Sequence, residues 1–207
     1  MTGHAYTLSP PIAPWADVVP GMGAVTVDLL LTAPDDGFIY EVVDGVLVRM
    51  AGSGDEATTI GLRLAARLLA YVEQHRLGRV TGADGVYKFP NAETGLIPDA
   101  GFYAAERRVL VTDRAKPIPF APDLAVEVAS PSQRAHEMAA KAGVYLSGGT
   151  RLVWIVWPQS QHIDVWREGK TDSPSRALTT DDILDGEDVI PGFTFPVATL
   201  FTDPLDV

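Results

Sequence analysis

Three carboxylates stand in stretches of this 207-residue chain that otherwise read as buried β-strand. Leu124-Ala125-Val126-Glu127-Val128-Ala129 is a core strand with a single acid in it. Two-residue alternation puts Glu127 on the face of Ala125 and Ala129, where small side chains leave space around it. Ile97–Tyr103 repeats the pattern: Asp99 follows Pro98 and shares its face with Gly101. Glu41 is the third case, between Tyr40 and Val42. An ionised carboxylate in an apolar strand is costly unless a cation offsets it, so three of them imply a bound cation. An oxygen-only set suits Mg²⁺ or Mn²⁺ and not zinc, because no histidine lies near any of the three in sequence. The competing readings are an exposed strand face or one shared ion-pair network.

Lys141 lies on the helix that follows the Glu127 strand, paired at (i, i+4) with Tyr145 and one turn after Glu137. It could form a Glu137–Lys141 surface ion pair. Alternatively, its ammonium reaches back over the strand end beside Asp99 and Glu127. There it would orient a water and offset the charge that builds on a phosphorane-like transition state.

The elements that must position these groups are legible from periodicity and turn chemistry. Residues 1–25, rich in Pro and Gly, read as an N-terminal arm. Thr26 is a candidate N-cap for a short helix over Val27–Thr32. Asp44-Gly45 between Phe38–Val43 and Val46–Met50 predicts a hairpin. Asp55–Arg76 carries a continuous apolar stripe through Ile60, Leu64, Leu68 and Val72 and is the longest predicted helix. Strands follow at Arg79–Thr81, Gly85–Phe89, Ile97–Tyr103 and Asp123–Ala129, with a short strand at Val109–Val111 inside an arginine-containing loop. Ser130-Pro131-Ser132-Gln133 has the form of a helix start, the helix running to about Leu146 and ending at Gly148-Gly149. Leu152–Trp157 is apolar on both faces, as a central strand would be, and His162–Arg167 alternates. The pattern predicts one α/β domain over residues 26–201, with an acidic C-terminal segment at 171–201 and a tail at 202–207.

Composition excludes several chemistries. There is no cysteine, hence no disulfide, thiolate nucleophile or Cys-ligated metal. The net charge of −11 argues against a protein that coats nucleic acid non-specifically. That charge is uneven, since residues 171–207 hold one basic residue, Arg176, and eight acidic ones. Basic residues gather around Arg107–Lys116 and Arg134–Lys141, which are expected beside the proposed site. No export signal and no membrane-length apolar run is present, so a cytoplasmic protein with no membrane partner is the expectation. Gly21-Met22-Gly23 lacks the context of a dinucleotide site, and Ser130 sits in no nucleophile elbow. The histidines at 4, 75, 136 and 162 are scattered, and His136 reads as solvated. Trp154, Trp157 and Trp166 read as core or as a dimer interface.

Pro98-Asp99, then Glu127 in a strand, then a lysine, resembles the metal-binding core of the PD-(D/E)XK nuclease superfamily. The finer set is Tyr40-Glu41-Val42-Val43-Asp44-Gly45, Pro98-Asp99, Glu127-Val128-Ala129-Ser130-Pro131-Ser132, Lys141 with Tyr145, Trp154-Ile155-Val156 and Pro191-Gly192-Phe193. This set resembles the bacterial Uma-two family of restriction-endonuclease-like proteins over roughly residues 26–201. The resemblance implies a restriction-endonuclease-like fold, a mixed β-sheet flanked by helices. It also implies Mg²⁺-dependent hydrolysis of DNA phosphodiester bonds, with Mn²⁺ as a substitute. Asp99 and Glu127 would hold the metal, with the Val128 carbonyl as a third ligand. Glu41 matches the family's N-terminal acid, for a second metal or the attacking water. Lys141 would supply the catalytic ammonium, since the superfamily's lysine position two residues after the strand acid is Ala129 here. The family's polar residue at the start of the long helix, often His, is matched only by Thr58 and Thr59. The expected function is a DNA endonuclease acting as a homodimer. The alternatives are a non-catalytic binding or regulatory protein that keeps the fold, and a hydrolase of small phosphate esters.

Overall fold

The structure is a computed structural model that describes residues 12–90, 92–170, 172–203 and 205. The first eleven residues of the expected arm, including His4, lie outside the described residues, as do 204, 206 and 207 of the expected tail. Strand β1 (Asp17–Val18) leads to a 3₁₀ turn at Val27–Thr32 and then to β2 (Phe38–Val43) and β3 (Val46–Ala51). Helix α1 (Asp55–His75) follows, then β4 (Gly78–Thr81), β5 (Tyr87–Lys88), β6 (Gly95–Leu96) and β7 (Ala100–Ala104). The second half runs β8 (Leu124–Val128), α2 (Ala135–Ser147), β9 (Leu152–Trp157) and β10 (His162–Arg167). It closes with β11 (Arg176–Leu178), β12 (Ile183–Asp185), β13 (Thr194–Pro196) and α3 (Val197–Phe201).

The β2–β3 hairpin forms at Asp44-Gly45, whose φ angles of 48° and 77° are both positive, as a two-residue turn of this hand requires. The hairpin belongs to a five-stranded sheet ordered β1-β3-β2-β6-β5. The larger sheet is ordered β11-β10-β9-β8-β7-β4. Its pairings are antiparallel except β8 with β9, which run parallel because α2 makes the crossover between them. Strands β12 and β13 form a separate ribbon. This is a mixed sheet flanked by helices, with a second sheet packed on it.

Alternation along β8 divides the core. Leu124, Val126 and Val128 pack with Ala57, Ile60, Leu64, Leu68 and Val72 of α1. Ala125 and Ala129 pack with Met138, Ala142, Tyr145 and Leu146 of α2, and with Val43, Val48 and Tyr87 from the smaller sheet. Leu184, Ile190, Phe193, Phe195, Val197 and Leu200 join the α1 side, so the acidic segment is part of the domain. Its acids also find partners: Arg176 pairs with Asp185 and Glu187, and Arg167 with Glu187 and Asp188.

Several local expectations are corrected. Ser130–Gln133 forms a turn, with Gln133 Oε1 accepting the Ser130 N–H at 2.9 Å, and α2 starts later, at Ala135. Glu137 accepts the Arg134 N–H at 2.8 Å and supplies the acid that a helix N-terminus favours. Thr26 does not cap the Val27–Thr32 turn with its side chain; Glu93 Oε1 accepts the Val27 N–H at 2.7 Å. The expected strand at Val109–Val111 is replaced by a 3₁₀ turn, Ala105–Leu110. Strand β7 starts at Ala100, after Pro98, which has no N–H to give to a ladder, so Asp99 occupies the bend just before the strand. Among the described residues, no helix is long and apolar enough to cross a membrane.

Candidate active site

Because Glu127 alternates with Val126 and Val128, its side chain faces α2, and α2 presents Lys141 and Tyr145 one turn apart on the matching face. Lys141 Nζ donates to Glu127 Oε2 at 2.9 Å, and the Tyr145 hydroxyl donates to Oε1 at 2.6 Å. Glu41 enters from β2 of the other sheet, and its Oε1 lies 3.2 Å from Lys141 Nζ. That oxygen also accepts the Ile97 N–H at 3.1 Å, while Oε2 accepts the Trp15 indole N–H at 3.0 Å. Asp99 Oδ2 accepts the Val128 N–H at 2.7 Å, which ties the bend before β7 to the end of β8. Lys141 is only 2% exposed, so the surface pairing with Glu137 is not what it makes.

Glu41, Asp99, Glu127 and Lys141 therefore meet from β2, the β6–β7 bend, β8 and α2. Three acids face one ammonium. Burial pushes Glu127 up against the pull of Lys141, and the neighbouring Asp99 and Glu41 add to the rise, bringing it to about 7. Burial also raises Asp99, against the Val128 N–H and Lys141. For Lys141 burial works against the charge, but Glu127, Glu41 and Asp99 together overcome it and hold the ammonium above its ordinary range. Lys141 is thus a fixed cation and a proton-bearing donor, not a base.

The donor set fits a hard divalent cation. Asp99, Glu127, Val128 and Lys141 line one cavity of about 60 Å³. Each carboxylate has about four lone-pair positions, and internal donors take only some of them on Glu127 and Asp99. The N–H and C=O of one strand residue point to the same edge, so the Val128 carbonyl lies on the edge facing Asp99. Among the described residues, no three acidic or histidine side chains are grouped closely enough to hold an ion by themselves. A Mg²⁺ site built on two carboxylates, a carbonyl and waters is consistent with that. Glu41 is different: it is wholly buried and both of its oxygens are engaged by Trp15, Ile97 and Lys141.

Met50, Ala51, Ser130 and Gln133 are shared between this cavity and a wider groove of about 560 Å³, which Phe38, Arg49 and Ser132 also line. Thr58 and Thr59 are exposed, and the Thr58 hydroxyl bonds back to the carbonyls of Gly54 and Asp55, so neither replaces the expected polar residue. His136 is exposed, while Trp154 and Trp166 are core residues. Arg107 lies at the far end of β8 from Glu127, paired with Asp123 at 2.7 Å, and so does not border the site as its sequence position suggested. Trp15 and the Ile97 N–H are parts of the site that sequence reasoning missed. A Pro-Trp pair in a Gly/Pro-rich lead-in carries no periodicity that would aim it at Glu41.

A family model described as "Putative restriction endonuclease", Uma2, matches residues 27–198. The fold is similar to that of a solved protein from Anabaena variabilis titled a "putative nuclease belonging to DUF820". The TM-score is 0.69 at 18% sequence identity, covering 86% of this chain and 97% of that one. No curated protein matches the sequence.

Proposed function

We propose that this chain, which belongs to the Uma2 family, is a Mg²⁺-dependent endonuclease that hydrolyses DNA phosphodiester bonds. The observation that carries the reading is the cavity where Asp99, Glu127 and the Lys141 ammonium converge. Asp99, Glu127 and the Val128 carbonyl would hold the metal, which when bound offsets charge on the phosphate and makes its water more acidic. Lys141 has three N–H donors, and Glu127 and Glu41 take two of them. The remaining one serves to orient the attacking water and to stabilise the extra negative charge of the transition state. Glu41, Trp15 and Tyr145 hold that ammonium and Glu127 in place. The wider groove gives the sugar–phosphate backbone a route to the cavity. Cutting both strands of a duplex takes two such centres, so the reading includes a homodimer, checked by light scattering.

The test is a cleavage assay on plasmid, linear and single-stranded DNA with Mg²⁺ or Mn²⁺, with nucleotides assayed alongside. Asp99→Ala and Glu127→Ala are expected to abolish cleavage while keeping the far-UV spectrum of the wild type. Equal activity in wild type and both variants would sink the reading. One observation favours a second reading, a binding protein that keeps the fold without turnover: the chain's own donors already engage Glu127 and Glu41. Mg²⁺ binding without cleavage of any substrate would select it.

A further inference from the structure

At the β4 edge of the large sheet, three arginines line one cavity, and among the described residues no acidic side chain pairs with any of them. Arg79 on β4 is the cross-strand partner of Tyr103 on β7. These two, with Arg108, Val111 and Arg114 from the loop after β7, line a cavity of about 50 Å³. Arg107 anchors that loop: its guanidinium binds Asp123 at 2.7 Å and the Ala121 carbonyl at 3.0 Å, and lies over the Phe120 ring. Arg108 and Arg114 of the same loop line the cavity instead. Among the described residues, no carboxylate lies within 4.0 Å of Arg79, Arg108 or Arg114. Asp113, next to Arg114 in sequence, turns back to accept the Ala115 N–H at 2.9 Å.

A chain with 27 acidic side chains has placed none of the described ones against this triplet. Like charges gathered around one small cavity repel, and an anion seated between them relieves that repulsion. Planar guanidiniums with several fixed donors match the oxygens of phosphate better than those of a small halide. The β4 edge alone would need a single charge as protection against strand pairing, and Arg79 provides it without Arg108 or Arg114. Tyr103 lies four residues after Asp99, which sits just before β7, so the cavity is ~13 Å from the acidic site at strand spacing.

We propose that Arg79, Arg108 and Arg114 form a second, phosphate-binding site, separate from the acidic cavity and independent of the nuclease reading. Its ligand is a phosphate group, carried by a nucleic-acid backbone or free in solution.

The test compares the full chain with Arg108→Gln/Arg114→Gln and with Arg67→Gln, which removes a charge from an exposed position elsewhere on α1. Unfolding midpoints first check that the variants fold. Inorganic phosphate is titrated by calorimetry, and labelled single-stranded and duplex oligonucleotides by anisotropy in EDTA. For a free-phosphate ligand, phosphate binding is expected to weaken at least roughly tenfold in the double variant and to stay unchanged in Arg67→Gln. For a backbone ligand, the salt dependence of oligonucleotide binding should lose a slope of about two in the double variant. Arg79→Gln should reproduce about half of whichever effect is seen. If neither probe binds, or if both bind the double variant as they bind the wild type, the proposal is overturned.

Discussion

The Lys141 ammonium lies 3.2 Å from Glu41 Oε1 while donating to Glu127 Oε2 at 2.9 Å, so one cation joins acids from two different sheets. Removing the cation and removing one of the acids should therefore have unequal costs. Lys141→Met leaves Glu41, Glu127 and Asp99 facing each other in a buried space, a loss of about 3–5 kcal/mol for a broken buried pair. Glu41→Gln keeps the Lys141–Glu127 contact and removes one repelling charge. Its cost is the mismatch with the Trp15 N–H, about 1–2 kcal/mol. Urea unfolding in EDTA measures both, and equal losses would contradict the bridging role.

The same excess of acid makes the metal-free protein pH-sensitive. Glu127 is raised by burial from its ordinary 4.5 to about 7, and Asp99 is raised in the same direction. A raised carboxyl binds its proton more tightly folded than unfolded. Its contribution is therefore complete below about 4.5 and is lost as pH rises through about 7. The loss attributable to Glu127 is on the order of 3 kcal/mol. Thermal midpoints in EDTA should fall between about pH 5 and about pH 8, and Glu127→Gln should flatten that fall. Mg²⁺ should raise the midpoint at the upper end, where the acids are ionised and able to bind it.

How far the sequence foretold this site depends on which force placed each group. The face of Glu127 was legible because strand periodicity fixes it, whereas spacing left Lys141 open between a surface pair with Glu137 and the strand end, and only its burial decides between them. The Asp44-Gly45 turn and the limits of β9 and β10 were legible for the same local reason. Asp99 was identified as a residue but placed inside a strand, because the missing N–H of Pro98 moves the start of β7 past it. Gln133 as the helix-start partner was a local reading that Glu137, a better acid for the helix N-terminus, displaced. Trp15, the Glu93 cap on Val27 and the displacement of Arg107 from the site all depend on contacts between residues far apart in sequence. No pattern within a short window encodes such contacts.

Trp15 tests whether the lead-in belongs to the site. It is buried, packs with Val43 and Val48, and gives its indole N–H to a buried carboxylate. Trp15→Phe keeps most of the apolar contact and leaves Glu41 Oε2 without this donor. A hydrogen bond to a charged group is worth about 1.5–3 kcal/mol, and a loss of that size is expected. Cleavage should fall too, because Glu41 helps to fix Lys141. Wild-type stability and turnover in Trp15→Phe would assign the segment a role apart from the site.

Two glycines beside the acids should respond in opposite directions to the same added methyl group. Gly61, inside α1, faces Val128 Cγ2 and Asp99 Cβ, and a Cβ built there would sit 3.5 Å and 3.7 Å from them. Those are ordinary contact distances, so Gly61→Ala should gain most of the helix-propensity difference, about 0.5–1 kcal/mol. Gly101, on β7, faces the buried ring of Tyr87, and a Cβ there would lie 2.5 Å from its hydroxyl oxygen and 2.6 Å from Cε2. Tyr87 is fully buried and its hydroxyl is shared with Thr81 at 2.9 Å, so it has little room to withdraw. Gly101→Ala should cost about 1–3 kcal/mol by overpacking. Tyr87→Phe in that background should recover only part of the loss, since the ring carbons remain in the way. Paired denaturation curves decide the matter, and a stabilising Gly101→Ala would mean that the ring moves more freely than its burial allows.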